Sequence, residues 1–321
     1  MNLELLNLLK NSDDYISGEE ISKKFNVSRS AIWKQINTLK NAGYIIDGIS
    51  KKGYKLISCP DLIIKEEIIN NLNTKIIGKH INYYSEIDST NNMAKKLASE
   101  SIDGTTIIAE IQNAGKGRLG RIWTSPKGGI WTSIILKPNI EPINANKVTQ
   151  VAAAALINVL KSLNIESKIK WPNDIYINNK KFAGILTEMK CDMDRVHYLV
   201  VGVGMNINIP LENLPEEIRS IATSLMIETG ETFNRNHILI KFYNEFEKLY
   251  LALVNNNDFS TSLNICRDNS IILNKDAYLI THNNKEKVHC IGIDDNGMLI
   301  IKDSLGNTKT VLSGEITFHM E

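Results

Sequence analysis

Apolar positions in residues 1–60 recur first with helical and then with strand spacing. Leu3, Leu5, Leu6, Leu8 and Leu9 predict a short first helix. Ser17, followed three residues on by Glu20, forms a capping box that opens a second helix carrying Ile21 and Phe25. After a turn at Asn26 and Val27, Ser28 is placed to cap a third, with Ile32, Ile36 and Leu39 on one face and Gly43 at its end. Two short strands, 44–46 and 53–57, follow. From about 62 to 268 strands alternate with helices: strands at 81–87, 105–111, 130–136 and 198–206, helices after Asp88, over 147–163 and over 235–254, and a short one near 259–263. Residues 270–316 carry short alternating runs with turns at Asn283-Asn284, Asp295-Asn296-Gly297 and Leu305-Gly306-Asn307, the spacing of a small all-β barrel. The expectation is an α+β multidomain chain with domains at 1–60, 61–268 and 269–321.

The polar positions give the first unit its character. The third helix turns Arg29, Ser30, Trp33, Lys34 and Asn37 away from its apolar face, and residues 47–52, with Lys51 and Lys52, form a basic wing between the two strands. Helix, turn, helix and basic wing is the winged helix-turn-helix pattern, whose last helix enters the major groove of DNA. Ser28, Arg29, Ser30, Trp33, Lys34, Asn37, Lys51 and Lys52 are the expected DNA-facing set. The segment holds nine Lys/Arg against six Asp/Glu, an excess suited to local phosphate contacts. A three-helix protein-interaction module is the competing reading.

Charge and composition narrow the rest. The 321 residues carry 37 Lys+Arg and 36 Asp+Glu, a net charge of +1, so any nucleic-acid surface is local. No apolar run approaches the roughly 18 residues of a membrane span, and the N-terminus lacks a signal-peptide pattern, so a soluble, cytoplasmic protein with no membrane partner is expected. The four cysteines are far apart in sequence and no paired histidines occur, so neither a disulfide framework nor a fixed metal site is indicated.

Candidate chemistry concentrates in residues 112–126. Gly115, Gly117 and Gly120 alternate with Lys116, Arg118 and Arg121, so backbone amides and cations are expected to converge on one anion. The loop joins two strands and enters no helix, which disfavours both a Walker loop and a dinucleotide-binding turn. A solvated basic hairpin loop is the bland alternative. Further on, strand alternation puts Lys168 and Lys170 on one face, Pro172 interrupts the strand and throws Asn173 and Asp174 into a bend, and Lys181 starts the next strand three residues before Gly184. Gly202 and Gly204 mark another strand where a ligand could lie flat. Ser89 and Thr90 follow strand 81–87, where a helix N-cap is as good an account as a ligand contact. Together these segments suggest one pocket for something long, partly apolar and phosphorylated.

The loop 115–121 with Trp123, the segment Lys170-Trp-Pro-Asn-Asp174, the stretch from Lys181 through Gly184 and the strand Gly202-Val-Gly-Met-Asn206 together resemble the bifunctional biotin–protein ligases that double as repressors of the biotin operon, over essentially the whole chain. Position 116 is lysine where that family often has arginine, which keeps the charge and loses bidentate geometry. The resemblance implies a class II synthetase-like mixed-sheet ligase domain and a two-step reaction. Biotin's carboxylate attacks the α-phosphorus of ATP, giving biotinyl-5′-AMP, and the ε-amine of a lysine on a biotin carboxyl carrier domain then attacks the mixed anhydride. It further implies that Arg118 and Lys181 meet the developing charge, with Asp174 as a general-base candidate, and that Lys116 and Arg121 face pyrophosphate and Mg2+. Ser89, Thr90, Asn91, Gln112, Gly115, Lys116, Gly117, Gly184 and Gly204 would then hold biotin, while Trp123, Lys170, Asn173 and Asn206 would serve the nucleotide. Operator DNA and a ligand-promoted homodimer are the remaining implied partners. The rivals are a lipoate–protein ligase, against which the N-terminal module argues, and a ligand-sensing repressor without catalysis.

Overall fold

The N-terminal periodicity resolves into three helices and a hairpin in a computed structural model that describes residues 3–41, 43–281, 284–312 and 314–317. The chain divides into two compact units, Met1–Glu67 and Ile68–Glu321. In the first, α1 is Leu3–Lys10, α2 Gly18–Phe25 and α3 Arg29–Asn41, followed by β1 (Ile45–Ile49) and β2 (Gly53–Ser58). Ser17 Oγ accepts from the Glu20 amide at 3.1 Å and Ser28 Oγ from that of Ala31 at 3.2 Å, caps that each contribute about 1 kcal/mol. Leu5, Leu6, Leu9, Ile21, Ile32, Ile36 and Leu39 close into one core with Tyr44 and Ile46 of the hairpin. β1 runs three residues further into the predicted wing than its periodicity indicated, because the hairpin pairs as far as Ile49 with Gly53. Gly53 is obligatory: at φ +117° a β-carbon there would lie 2.0 Å from the Ile16 carbonyl oxygen. Helix α4 (Lys65–Asn71), which no sequence signal had marked, spans the division between the units.

The second unit is built on a seven-stranded sheet in the order β3-β4-β5-β9-β8-β7-β6. Its strands are β3 (Ile81–Ile87), β4 (Thr106–Gln112), β5 (Ile130–Leu136), β6 (Lys168–Lys170), β7 (Asp174–Ile177), β8 (Lys180–Cys191) and β9 (Val196–Met205). β3 and β4 are parallel and the other pairs antiparallel. Every residue of β5 is buried, since helices cover both faces. Successive side chains show this: Thr132 Oγ1 meets the Tyr243 hydroxyl at 2.6 Å on α8 (Arg235–Asn256), whereas Ser133 meets Thr90 and Asn91 on α5 (Thr90–Leu97). The alanine-rich α6 (Ala145–Ser162) is buried nearly throughout, as its composition predicted. α7 (Leu225–Thr229) and α9 (Ser260–Asp268) complete the helices.

The C-terminal strands β10 (Lys275–Thr281), β11 (Asn284–Ile293), β12 (Leu299–Asp303), β13 (Thr308–Val311) and β14 (Glu315–Thr317) form a five-stranded antiparallel sheet ordered β13-β12-β11-β10-β14. Part of the turn predicted at Asn283-Asn284 lies outside the described residues. The turn at 294–298 reaches into the seven-stranded sheet's surroundings: the Gly297 carbonyl accepts from Gln150 Nε2 at 2.5 Å and from the Trp171 indole at 3.0 Å.

Candidate active site

The site occupies the α5 face of the large sheet, and strand register dictates its floor. Directly opposed residues across a sheet share a face, so the pairings Gly204 with Gly184, Gly184 with Asp174 and Asp174 with Lys170 lay one row across four strands. The neighbouring row is Ser133, Gly202 and Leu186. One row thus ends in two charged side chains, the other in small polar and apolar ones. A cleft lined by Lys170, Asp174, Gly184 and Gly204 of the first row and by Leu186 and Gly202 of the second runs over both.

Its roof is the glycine-basic loop, which folds differently from the anion nest expected from its composition. The Gly117 amide donates to Arg121 O at 2.8 Å, the Trp123 amide to Gly115 O at 2.8 Å and the Arg121 amide to Arg118 O at 3.2 Å. These three donors are therefore spent inside the loop. Gly115 is a packing glycine, since a β-carbon would sit 2.3 Å from Trp123 O, and it does not line the cleft. Leu119 at φ +56° and Gly120 at φ +76° make the tight turn that leaves Leu119 and Ile122 76% and 82% exposed.

The loop's arginines are tied to two other parts of the unit. Arg118 donates to Asn173 Oδ1 at 2.9 Å and to Gly314 O at 3.1 Å. Arg121 forms a bidentate pair with Glu315, at 2.8 and 2.5 Å. Burial pulls the Arg118 guanidinium down from its usual value, opposed by Asp174 and Glu315. Burial likewise pulls Lys170 down, again opposed by Asp174 and Glu315. Burial pushes Glu315 up, but the hydrogen bond and charge of Arg121, with Lys170 and Arg118, outweigh it and leave the carboxyl low. Lys181 Nζ stands 2.8 Å from Asp174 Oδ2 and 5.1 Å above the Trp123 ring. Asn173 Nδ2 holds the other Asp174 oxygen at 2.9 Å, so each oxygen of Asp174 has a donor.

The two glycines expected to floor a ligand instead lie under the Trp123 indole. β-carbons at Gly184 and Gly204 would fall 2.9 and 2.5 Å from its ring atoms. The indole Nε1 is buried without a hydrogen-bond partner. Gly202 makes room for Asn91, whose Oδ1 would be 2.0 Å from a β-carbon there. At that end Ser89 caps α5, its Oγ 3.4 Å from the Asn92 amide, and Gln112 Oε1 accepts from the Thr90 amide at 2.7 Å and hydroxyl at 3.0 Å. Of the predicted site residues the cleft gathers Ser89, Thr90, Asn91, Gln112, Lys116, Gly117, Arg118, Arg121, Trp123, Lys170, Asn173, Asp174, Lys181, Gly184 and Gly204. Asn206 is the second exception after Gly115: it is buried, and its Nδ2 donates to Thr223 O at 2.9 Å.

On the first unit, Trp33 is 58% exposed on α3, and Arg29, Ser30, Lys34, Lys51 and Lys52 are exposed, with Asn37 half-buried. Two of the expected DNA-facing side chains have partners within this unit. Arg29 is paired with Glu19 at 2.5 Å, and Ser28 is occupied as the helix cap.

Residues 83–206 match the model of the biotin/lipoate A/B protein ligase family, and residues 2–55 match an HTH domain. The bifunctional ligase/repressor BirA of Bacillus spizizenii is 36% identical over 94% of this chain and 94% of its own. The chain belongs to the family of bifunctional biotin ligase/repressors. The Escherichia coli BirA is 29% identical over 98% of this chain and 96% of its own. Among solved structures, the biotin protein ligase of Aquifex aeolicus in complex with biotin and ATP aligns with 74% of this chain and 98% of its own, at 28% identity and a TM-score of 0.65. Within this family's site, sequence reasoning missed Glu315 and Gly314. They reach the loop from 194 and 196 residues away, and no local pattern marks them.

Proposed function

We propose that the chain joins biotin to a lysine of a biotin carboxyl carrier domain through biotinyl-5′-AMP, and that its first unit binds operator DNA as a biotin-responsive repressor. The observation that carries the ligase reading is the convergence of Arg118, Lys170 and Lys181, from the loop and two strands, beside a cleft whose far end presents Ser89, Thr90 and Gln112. The first step brings two anions together, and positioned cations in a partly desolvated site offset that repulsion. Arg118 and Lys181 then face the carboxylate and the α-phosphate. Trp123, with its indole over the row of glycines, separates the biotin end from the nucleotide end. Lys116 and Arg121 face the leaving pyrophosphate.

Asp174, held by Lys181 and Asn173, serves here to fix Lys181 rather than as a general base. Among the described residues no group of three His, Cys, Asp or Glu is placed to hold a metal, and the cleft's Asp174 and Glu315 are both engaged by cations. Magnesium accordingly enters as the counter-ion of ATP. The exposed Leu119 and Ile122 support ligand-promoted homodimerisation, since covering the ligand with this loop rearranges apolar surface. Incubating the purified chain with ATP, an acceptor domain and either biotin or lipoate tests the reading. Lysine labelling with biotin alone supports it, and labelling only with lipoate, or none, overturns it.

A further inference from the structure

A run of hydrogen bonds behind the Thr90 end of the cleft has a fixed polarity, and its origin lies outside the cleft. Glu188 on β8 accepts from Lys95 Nζ at 2.6 Å and from Asn91 Nδ2 at 2.9 Å, while Leu186 O accepts from the same amide at 3.3 Å. Both partners of that amide can only accept, so Asn91 must turn its Oδ1 toward Ser133, whose hydroxyl lies 2.6 Å away. Ser133 Oγ is also 2.8 Å from Thr90 Oγ1, and Thr90 Oγ1 is 3.0 Å from Gln112 Oε1. Gln112 is oriented in turn, because its Oε1 takes the Thr90 amide proton and its Nε2 donates to Ser125 Oγ at 2.8 Å.

Three contacts between Asn91 and Gln112 therefore share two hydroxyl protons. With the Ser133 proton drawn to Asn91 and the Thr90 proton to Gln112, Ser133 takes neither lone pair of the Thr90 oxygen beside the cleft, whereas the reverse orientation of Asn91 would commit one of the two to Ser133. We propose that Glu188, held by Lys95, is a positioning residue that orients Asn91 and so leaves Thr90 as an acceptor for an N–H donor, the chemical feature that separates a cyclic urea from a cyclic disulfide head. This rests on the biotin head lying at the Thr90 end. The carboxylate itself does not line the cleft. It acts by permitting only one orientation of a side-chain amide that is buried with Ser133.

The polarity argument makes an unusual demand of mutants. In Glu188→Gln, Lys95 still donates only, so it claims the new amide's oxygen and turns its NH2 group against Asn91. Asn91 then faces a donor and loses its enforced orientation. Removing Lys95 as well lets the new amide present its oxygen to Asn91 and restores the original polarity. The expected result is a rise of about tenfold in KM for biotin in Glu188→Gln, with KM for ATP and kcat within about twofold, and recovery to near wild type in the double variant that adds Lys95→Met. Lys95→Met alone should change little, because a carboxylate can only accept. A merely structural role for the ion pair predicts the opposite order, with the double variant no better than either single one. An unchanged biotin KM in Glu188→Gln, or no recovery in the double variant, overturns the proposal. Thr90→Val separates this from the placement of the head: a biotin KM unmoved by Thr90→Val overturns that placement, whereas one that rises while Glu188→Gln is silent overturns only the role of Glu188.

Discussion

Arg118 donates to Asn173 Oδ1 at 2.9 Å, joining the glycine-basic loop to the turn that also holds Asp174. The same Asn173 spends its Nδ2 on Asp174 and on Ile185 O at 3.0 Å, so loop, turn and strand β8 share one residue. Arg118→Gly removes the loop's side of this arrangement and leaves Lys181 in place. Losing a charge-assisted contact costs roughly 1.5–3 kcal/mol, or about ten- to a hundredfold in retention of the activated biotin. Pyrophosphate release should persist, while an unrelated protein added to the reaction becomes labelled. Lys181→Ala should show the reverse, with pyrophosphate release itself depressed. The two assays run side by side decide it: no released biotinyl-AMP from the first variant and normal adenylation by the second would reassign both cations.

The glycines under Trp123 make a steric prediction. In Gly204→Ala the new methyl would lie 2.5 Å from the indole Nε1, and the ring has the buried sheet beneath it and Lys181 above. Overpacking of this kind costs about 1–3 kcal/mol. Trp123 is expected to swing off the sheet, with roughly ten- to a hundredfold lower kcat/KM for adenylation and altered tryptophan fluorescence. Wild-type fluorescence together with wild-type activity would show that the indole does not need this berth.

What could be read in the sequence follows from range. Ser17, Ser28 and the apolar faces of α2 and α3 act within a few residues. Those elements were legible. The cleft's cations were also legible as residues, because strands of known register carry Lys170 and Lys181. What the pattern could not reveal is where each hydrogen bond goes. The loop's glycines suggested amides open to an anion, yet the Gly117, Arg121 and Trp123 amides bond to the loop's own carbonyls. Asn206 lies two residues after Gly204 in sequence but donates to Thr223 O, and Arg29 meets a glutamate one helix away. Glu315 is separated from Arg121 by most of the chain, so only folding discloses that pair.

The Arg29–Glu19 pair bears on DNA binding. A phosphate must compete with Glu19 for this guanidinium, and the pair is exposed and screened by salt, so it holds the guanidinium only weakly. Glu19→Gln should therefore tighten DNA binding by roughly two- to fivefold at low salt, while Arg29→Ala with Lys34→Ala weakens it and flattens the salt dependence. Biotinylation is expected to stay near wild type in all of these, because the two units have separate cores. Binding isotherms over a salt series, read against the labelling assay, provide the check. Parallel loss of both activities would sink the assignment of these residues to DNA.

Gly297 offers the last test, because it ties the C-terminal sheet to the catalytic turn. Its carbonyl accepts hydrogen bonds from Gln150 and from Trp171, the residue two before Asn173, while Gly314 and Glu315, at the entry to β14 of the same sheet, hold Arg118 and Arg121. The backbone is at φ +79°, and a β-carbon would lie 2.5 Å from Gln150 Nε2. Gly297→Ala thus combines a left-handed penalty of roughly 1–2 kcal/mol with a clash in a packed region. The turn should lift away from α6, and the loosening should reach Asn173 and the two arginines but not the hydroxyls around Thr90. KM for ATP is expected to rise by about tenfold with biotin KM little changed, accompanied by a fall of several degrees in melting temperature. Shortening the opposing side chain with Gln150→Ser in the same chain should relieve the clash and recover part of both effects, leaving the backbone penalty. If biotin and ATP constants move together, or if the second substitution brings no recovery, Gly297 is only a turn glycine and the C-terminal sheet acts on the nucleotide end through Glu315 alone.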